Sequence, residues 1–161
     1  MPIRNITTDY SGRAKDINIS PTIDPTKTTV QKVTPGFGGV SSYCAGVQKL
    51  VQRFMIALVT VRGSQPAYPN FGTDLLKNIS VSSLTTVADL KHAFNFASAK
   101  VVSEFRSYQA DTPDLPDDEQ LDTALLLDVT VSANYEVSYR VALYTKAGAT
   151  YDFLLPIPIS K

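Results

Sequence analysis

The chain predicts an α+β fold: two helices packed on a C-terminal antiparallel meander of three to four strands, preceded by an extended N-terminal arm. Three observations carry that reading. Val87, Leu90, Phe94, Ala97, Val101, Phe105 and Tyr108 recur at spacings of three and four, one apolar stripe over about six helical turns. From Leu121 onward the period drops to two and holds through three runs separated by short turns. Before residue 40, by contrast, apolar residues stand isolated among Thr, Asp, Lys and Pro.

Residues 1–40 read as the arm. Pro2, Pro21, Pro25 and Pro35 punctuate it, and Ile3, Ile6, Ile17, Ile19, Ile23, Val30 and Val33 never gather into a face. A short strand over Thr28–Val33 fits the pattern, but the segment is expected to be extended and to order against a partner. Pro35-Gly36-Phe37-Gly38-Gly39 ends it as a hinge, and residues 41–161 make the domain. From about Ser42 to Thr60 the pattern is helical. Val47, Leu50, Val51, Phe54, Ile56, Leu58 and Val59 share a broad apolar face, with Gln48, Lys49, Gln52 and Arg53 mostly opposite. Arg62-Gly63 is expected to stop this helix, since glycine accepts the positive φ of many helix exits.

The second helix is expected from about Thr86 to Tyr108, where Thr86 is a good N-cap and Asp89 follows three residues on. After the acidic, proline-broken stretch Ala110–Gln120 come the strands. Leu121, Thr123, Leu125, Leu127, Val129 and Val131 alternate first, then Tyr135, Val137, Tyr139, Val141 and Leu143, then Ala149, Tyr151, Phe153, Leu155, Ile157 and Ile159. Each set is expected on one greasy face, covered by the long helix. Burying about five large side chains per strand at ~1.5–3 kcal/mol each drives that packing. Pro156 and Pro158 cannot donate to a ladder, so the last run has to be an edge or a tail. Its apolar residues imply docking, on this chain's own core or on a neighbour.

Composition excludes several classes of function. Across 161 residues, 43% are hydrophobic and 19% charged, values of one globular domain rather than a disordered chain. Fifteen basic residues balance fifteen acidic ones, so no overall field steers the chain to nucleic acid or an anionic membrane. No basic stripe with interleaved aromatics offers a single strand a track. No apolar run nears the ~20 residues of a membrane helix. MPIRNITTDY lacks a signal-peptide core, so synthesis in a cytoplasm without export is expected. Cys44 is the single cysteine, which rules out an intrachain disulfide and a Cys-based metal site.

No catalytic residue, cofactor or metal is expected. His92 is the one histidine and has no Ser or Cys nucleophile in a local motif. Cys44 reads as a small packing residue. Gly36-Phe37-Gly38-Gly39 lacks the Gly-Lys-Ser/Thr of a phosphate loop. Asp114, Asp117, Asp118 and Glu119 miss the spacing of a calcium loop and read as a solvated acidic loop. Glu104 and Arg106 flank Phe105 of the apolar stripe, and periodicity alone makes them surface charges near a helix end.

Residues 54–76, FMIALVTVRGSQPAYPNFGTDLL, add a resemblance. Thr60–Pro66 and Pro69-Asn70-Phe71-Gly72-Thr73-Asp74-Leu75-Leu76 resemble, in order and spacing, two linked elements of the W-like baseplate wedge proteins, the sheath initiators of contractile phage tails. In that family a helix ends at a small hairpin, and an Asx-or-Tyr, Phe/Tyr, Gly, Ser/Thr, x, Leu, Leu element follows. A long helix ending in Glu-Pro-Arg and then C-terminal strands complete the pattern. Here Glu104-Phe105-Arg106 falls at the tripeptide, with Phe105 in the proline's place, and the likeness covers roughly residues 45 to 155.

The resemblance implies a structural part of the virion, made in the host cytoplasm and built into the tail baseplate in six copies per ring. Its implied partners are other baseplate wedge proteins, the tail sheath protein and, as a further candidate, the tail tube. The wedge contact is expected at Arg62, Gly63, Pro69, Asn70, Phe71, Gly72, Glu104 and Arg106. The sheath contact is expected by strand addition, at Tyr135, Val137, Tyr139 and Val141 and at Tyr151, Phe153 and Leu155. Another small tail component, such as a tail terminator or completion protein, is the alternative. A host-cytoplasm adaptor domain with no place in the virion is another class. Relatives have also been labelled lysozyme-like, but that chemistry needs an acid and a partner carboxylate in a cleft, and Glu104 has no defined partner in the sequence.

Overall fold

The computed structural model describes residues 13–19, 31–32, 43–80, 86–133 and 136–159. The expectations for the rest of the arm, for the Pro35–Gly39 hinge and for Tyr135 lie outside the described residues. In chain order the elements are β1 (Asp16–Ile17), β2 (Gln31–Lys32), β3 (Tyr43–Cys44), α1 (Gly46–Val59), α2 (Leu75–Ser80), α3 (Val87–Ala110), β4 (Leu121–Val131), β5 (Glu136–Thr145) and β6 (Thr150–Pro158). The expected α+β architecture is present. β4, β5 and β6 form the antiparallel meander, and the sheet order is β2-β6-β5-β4, with β2 adding to β6 in parallel.

Helix α3 begins as its sequence dictates. The Thr86 hydroxyl accepts from the Asp89 N–H and the Asp89 carboxylate accepts from the Thr86 N–H, both at 3.1 Å, a reciprocal cap. The helix then runs unbroken through Phe105 to Ala110. Its stripe meets the inner sheet face, where Phe94 stacks on Tyr139 at 4.9 Å. Phe54 of α1 meets Phe105 edge to face at 6.3 Å. Val137, Tyr139, Val141 and Leu143 of β5 and Tyr151, Phe153, Leu155 and Ile157 of β6 are all buried in this core. The apolar C-terminal run therefore docks on its own chain. Pro156 and Pro158 sit opposite Ser138 and Glu136, beyond the rungs that β2 makes with Phe153 and Leu154, where no donor is needed.

Five expectations need correction. On β4, register shifts at Leu121/Thr123 and Leu126/Asp128 insert an extra residue twice. Each extra residue flips the alternation, so Ala124 and Leu126 pack toward the core while Leu125 and Leu127 stand 47% and 44% exposed. The acidic stretch is not wholly solvated. Asp118 and Glu119 are buried and paired, Asp118 with Arg13 at 2.7 Å and Glu119 with Lys49 at 2.8 Å. Glu119 also accepts from the Gly46 N–H at 2.9 Å, closing the start of α1.

Gln52 was expected opposite the core but is buried. Its Nε2 donates to the Ile17 carbonyl at 2.7 Å and its Oε1 accepts from the Ile19 N–H at 2.8 Å. Residues 13–19 are thus strapped onto α1 rather than held for a partner. Helix α1 ends at Val59 with an extended Thr60, before Gly63, whose positive φ of 83° belongs to the turn that follows. The six-residue helix α2 is foreseen by the sequence only as an apolar patch.

Cys44 of β3 pairs opposite Asp16 of this strap, with Lys49 and Glu119 also near it. Burial first, and then the Asp16 and Glu119 carboxylates, push its thiol from 9.0 up to about 11. A raised folded pKa favours the protonated fold, so this contribution to stability is whole below pH 9.0 and is lost as the pH rises through about 11. Urea melts at pH 8 and at pH 10.5 should show a loss in the wild type that Cys44→Ala reduces. An equal loss in both would show that the thiol is not responsible.

Candidate functional site

The block between α1 and α2 is a closed loop. The Thr73 N–H donates to the Thr60 carbonyl at 2.8 Å and the Arg62 N–H to the Thr73 carbonyl at 3.0 Å, so the two ends of the loop meet. The Thr73 hydroxyl donates to the Leu58 carbonyl at 2.6 Å and answers one of the orphan groups at the end of α1. Gly72 makes this closure possible. Its φ is +92°, and a Cβ there would strike the Thr60 carbonyl oxygen. Residues 61–70 are consequently pushed into solvent.

Lys100 ties this loop to α3. Its ammonium donates to the Asn70 carbonyl at 2.8 Å, to the Gly72 carbonyl at 2.5 Å and to Glu104 Oε1 at 2.6 Å. All three of its protons are used. Between loop and helix lies a crevice of about 470 Å³, with Tyr68, Pro69 and Phe71 on one wall and Glu104, Phe105 and Tyr108 on the other. Arg53 closes its floor, its guanidinium carbon 4.3 Å from the Tyr108 ring centre and 5.7 Å from that of Phe105. Its hydrogen bond to the Tyr108 phenol, and then its charge, lower that phenol below the ordinary value. Glu104 Oε2 is shielded from solvent and accepts no hydrogen bond.

Of the residues expected at the wedge contact, the structure brings together Pro69, Asn70, Phe71, Gly72 and Glu104. Arg62 lines a separate hollow of about 300 Å³ with Asp74, Asn78 and Phe96. Gly63 sits in the exposed turn with open space around it. Arg106 leaves the crevice and donates from Nη2 to the Asp122 carbonyl at 3.1 Å. Sequence reasoning missed Lys100, Arg53 and Gln109. Lys100 and Glu104 form an i,i+4 pair that could have been noticed. Nothing in the spacing announces that Arg53 of α1 lies over Tyr108 of α3.

The residues expected at the sheath contact are placed otherwise. Val137, Tyr139, Val141, Tyr151, Phe153 and Leu155 are at most 3% exposed, their side chains spent on the chain's own core. β5 is an interior strand, paired on both sides. Side-chain contact with another polypeptide is not available at these positions, and the expectation is corrected accordingly.

Among the described residues β4 is the long edge of the sheet, the other edge being the two-residue β2. Gln120 and Ser132 flank β4, and both engage β5's side of the ladder, through Lys146 and Glu136. Alternation between them, through the two bulges, turns the backbone groups of Ala124, Leu126, Val129 and Val131 to the free side. The Val129 N–H is answered locally by Asp128 Oδ1 at 2.8 Å.

No protein-family model matches the chain, and no curated protein matches it either. Among solved structures it is similar to a crystal structure from Geobacter sulfurreducens of a protein provisionally named a tail lysozyme. The identity is 17% and the TM-score 0.45, over 71% of this chain and 91% of that one. A likeness at that level carries no argument about activity or partners.

The loop closure generates a contrast between two glycines. Gly72→Ala meets both a left-handed φ and the Thr60 carbonyl and should cost upward of ~3 kcal/mol. Gly63→Ala, at φ +83° with nothing within 4 Å, should cost only ~1–2 kcal/mol. Urea melts of the two variants check this. Equal losses would show that the loop ends are not held together as described.

Proposed function

We propose that this chain is a structural component of a contractile phage tail baseplate wedge, which starts the sheath by offering a strand edge to the first sheath ring. The ordered motifs from Thr60 to Leu76 and the Glu104-Phe105-Arg106 tripeptide support the family reading. The observation that carries the mechanism is the free border of β4, which lies beside a fully packed core. A sheet edge gives main-chain hydrogen bonds to any extended chain in register, and side chains on alternate positions add specificity. The exposed Leu125, Leu127 and Val131 give such a strand apolar contacts. On this reading the sheath contact belongs to β4 rather than to β5 and β6.

The wedge contact is proposed at the crevice between loop 61–72 and α3. Its aromatic walls offer area, and Glu104 Oε2 is an acceptor still without a donor. The assignment is non-enzymatic. Glu104, the carboxylate that a glycosidase reading would choose, has its other oxygen engaged by Lys100, and its surroundings supply no second carboxylate among the residues lining the crevice. Purified protein is expected to leave peptidoglycan intact in a clearing assay.

Ala124→Pro tests the central claim. Its N–H points to the free side, so proline removes an edge donor without touching the β5 ladder. The variant should fold with a melting temperature close to wild type, and virions assembled with it should carry baseplates without sheath. Fully sheathed tails containing the variant would refute strand addition at β4.

A further inference from the structure

We propose that Gln109 and Arg106 set the register of a strand added to β4, by keeping the first rungs of its free border occupied. The inference rests on the strand-addition reading above and specifies the segment that fits it. Gln109 lies in the last turn of α3 and is 7% exposed. Its Nε2 donates to the Leu121 carbonyl at 3.1 Å and its Oε1 accepts from the Leu121 N–H at 3.0 Å. A primary amide placed this way presents the same donor and acceptor as a peptide group of a neighbouring strand. Arg106 extends the block by one residue, donating to the Asp122 carbonyl at 3.1 Å.

The free rungs therefore begin at Ala124. The window for an incoming chain runs from Thr123 to Val131, with the backbone of Ala124, Leu126 and Val131 open on both donor and acceptor and Val129 open only on its carbonyl. The chain that fits is extended and apolar at alternate positions, because its side chains beside Ala124, Leu126 and Val129 prolong the inner face. Two kinds of slip compete with the intended register. A slip by one residue turns the apolar set outward and is excluded by patterning. A slip by two keeps the faces, and patterning alone does not forbid it. Toward the α3 end, that slip requires the incoming backbone to displace Gln109 from Leu121, leaving a buried amide without partners. The Gln109 amide thus disfavours the slip toward α3, which hydrophobic alternation leaves equivalent to the intended register.

Site-resolved amide hydrogen exchange tests this on the isolated chain and on virions carrying it. In the wild-type chain alone, the Leu121 N–H should be protected and those of Ala124, Leu126 and Val131 should exchange freely. In virions the latter three should slow by at least about tenfold while Leu121 is unchanged. In Gln109→Leu, Leu121 should lose its protection in the isolated chain and regain it in virions, as the added strand slides onto the vacated rung. Gln109→Met, which preserves side-chain length, gives the same readout should the leucine variant not assemble. Leu121 remaining unprotected in virions of both variants, with the other three protected as in wild type, would overturn the register role. A wild-type virion in which Ala124, Leu126 and Val131 gain no protection would instead refute the strand-addition reading on which it rests.

Discussion

A buried peptide group without a partner costs about 1–3 kcal/mol, and the joints of this fold would leave several. Side chains answer them. The Gln52 carboxamide holds Ile17 and Ile19, Gln109 holds Leu121, Glu119 closes the start of α1 at Gly46, and Thr73 closes its end at Leu58. Lys100 does the same for the Asn70 and Gly72 carbonyls. The helices and sheet could pack by hydrophobic burial alone in many relative positions. These polar ties fix where the strap, the loop and the strand begin, and so fix the outline of both candidate surfaces.

The same constraint separates what could be read from the sequence from what could not. Period and spacing report which side chains seek the core, so the α3 stripe and the inward sets of β5 and β6 were legible, as was the Thr86 cap. They do not report where a buried polar group finds its partner, because that partner is distant in sequence. Arg13 and Asp118 lie 105 positions apart, and Gly46 and Glu119 lie 73 apart. Asp118 and Glu119 therefore looked like solvated acids, and Gln52 like a surface residue. The bulges of β4 were hidden for another reason. An extra residue in a strand leaves the composition unchanged and alters only the phase, so Leu125 and Leu127 were assigned to the wrong face. Of the candidate site, the Pro69–Gly72 loop and Glu104 are brought to one crevice and joined through Lys100. Arg106 went elsewhere because the helix continues through Phe105, and it now reaches β4.

The two surfaces differ in what they ask of a partner. The crevice offers aromatic area and a shielded acceptor, on a loop whose ends are held by backbone bonds and whose last residues, Asn70 and Gly72, are pinned to α3 through Lys100. Such a surface is preorganised, and binding there costs little ordering entropy. The β4 border offers backbone groups, which any extended chain can match. Specificity at such an edge has to come from how much of it is available and from the side chains beside it.

That last point bears on why the border is shaped as it is. A long, flat, apolar edge pairs with copies of itself, and a chain whose fifteen basic residues cancel fifteen acidic ones gains little protection from charge repulsion. β4 is not flat. Two bulges bend it, Asp128 sets a carboxylate at the second of them and takes the Val129 N–H, and Gln109 and Arg106 occupy its first rungs. Two identical bent edges match poorly, since each brings its own bulges and its own carboxylate to the pairing. A partner strand of different sequence carries no such features and can follow the bend. The irregularities that hid this strand's facing from the sequence are thus the ones that would discourage self-pairing while leaving a defined stretch of backbone for a designated partner.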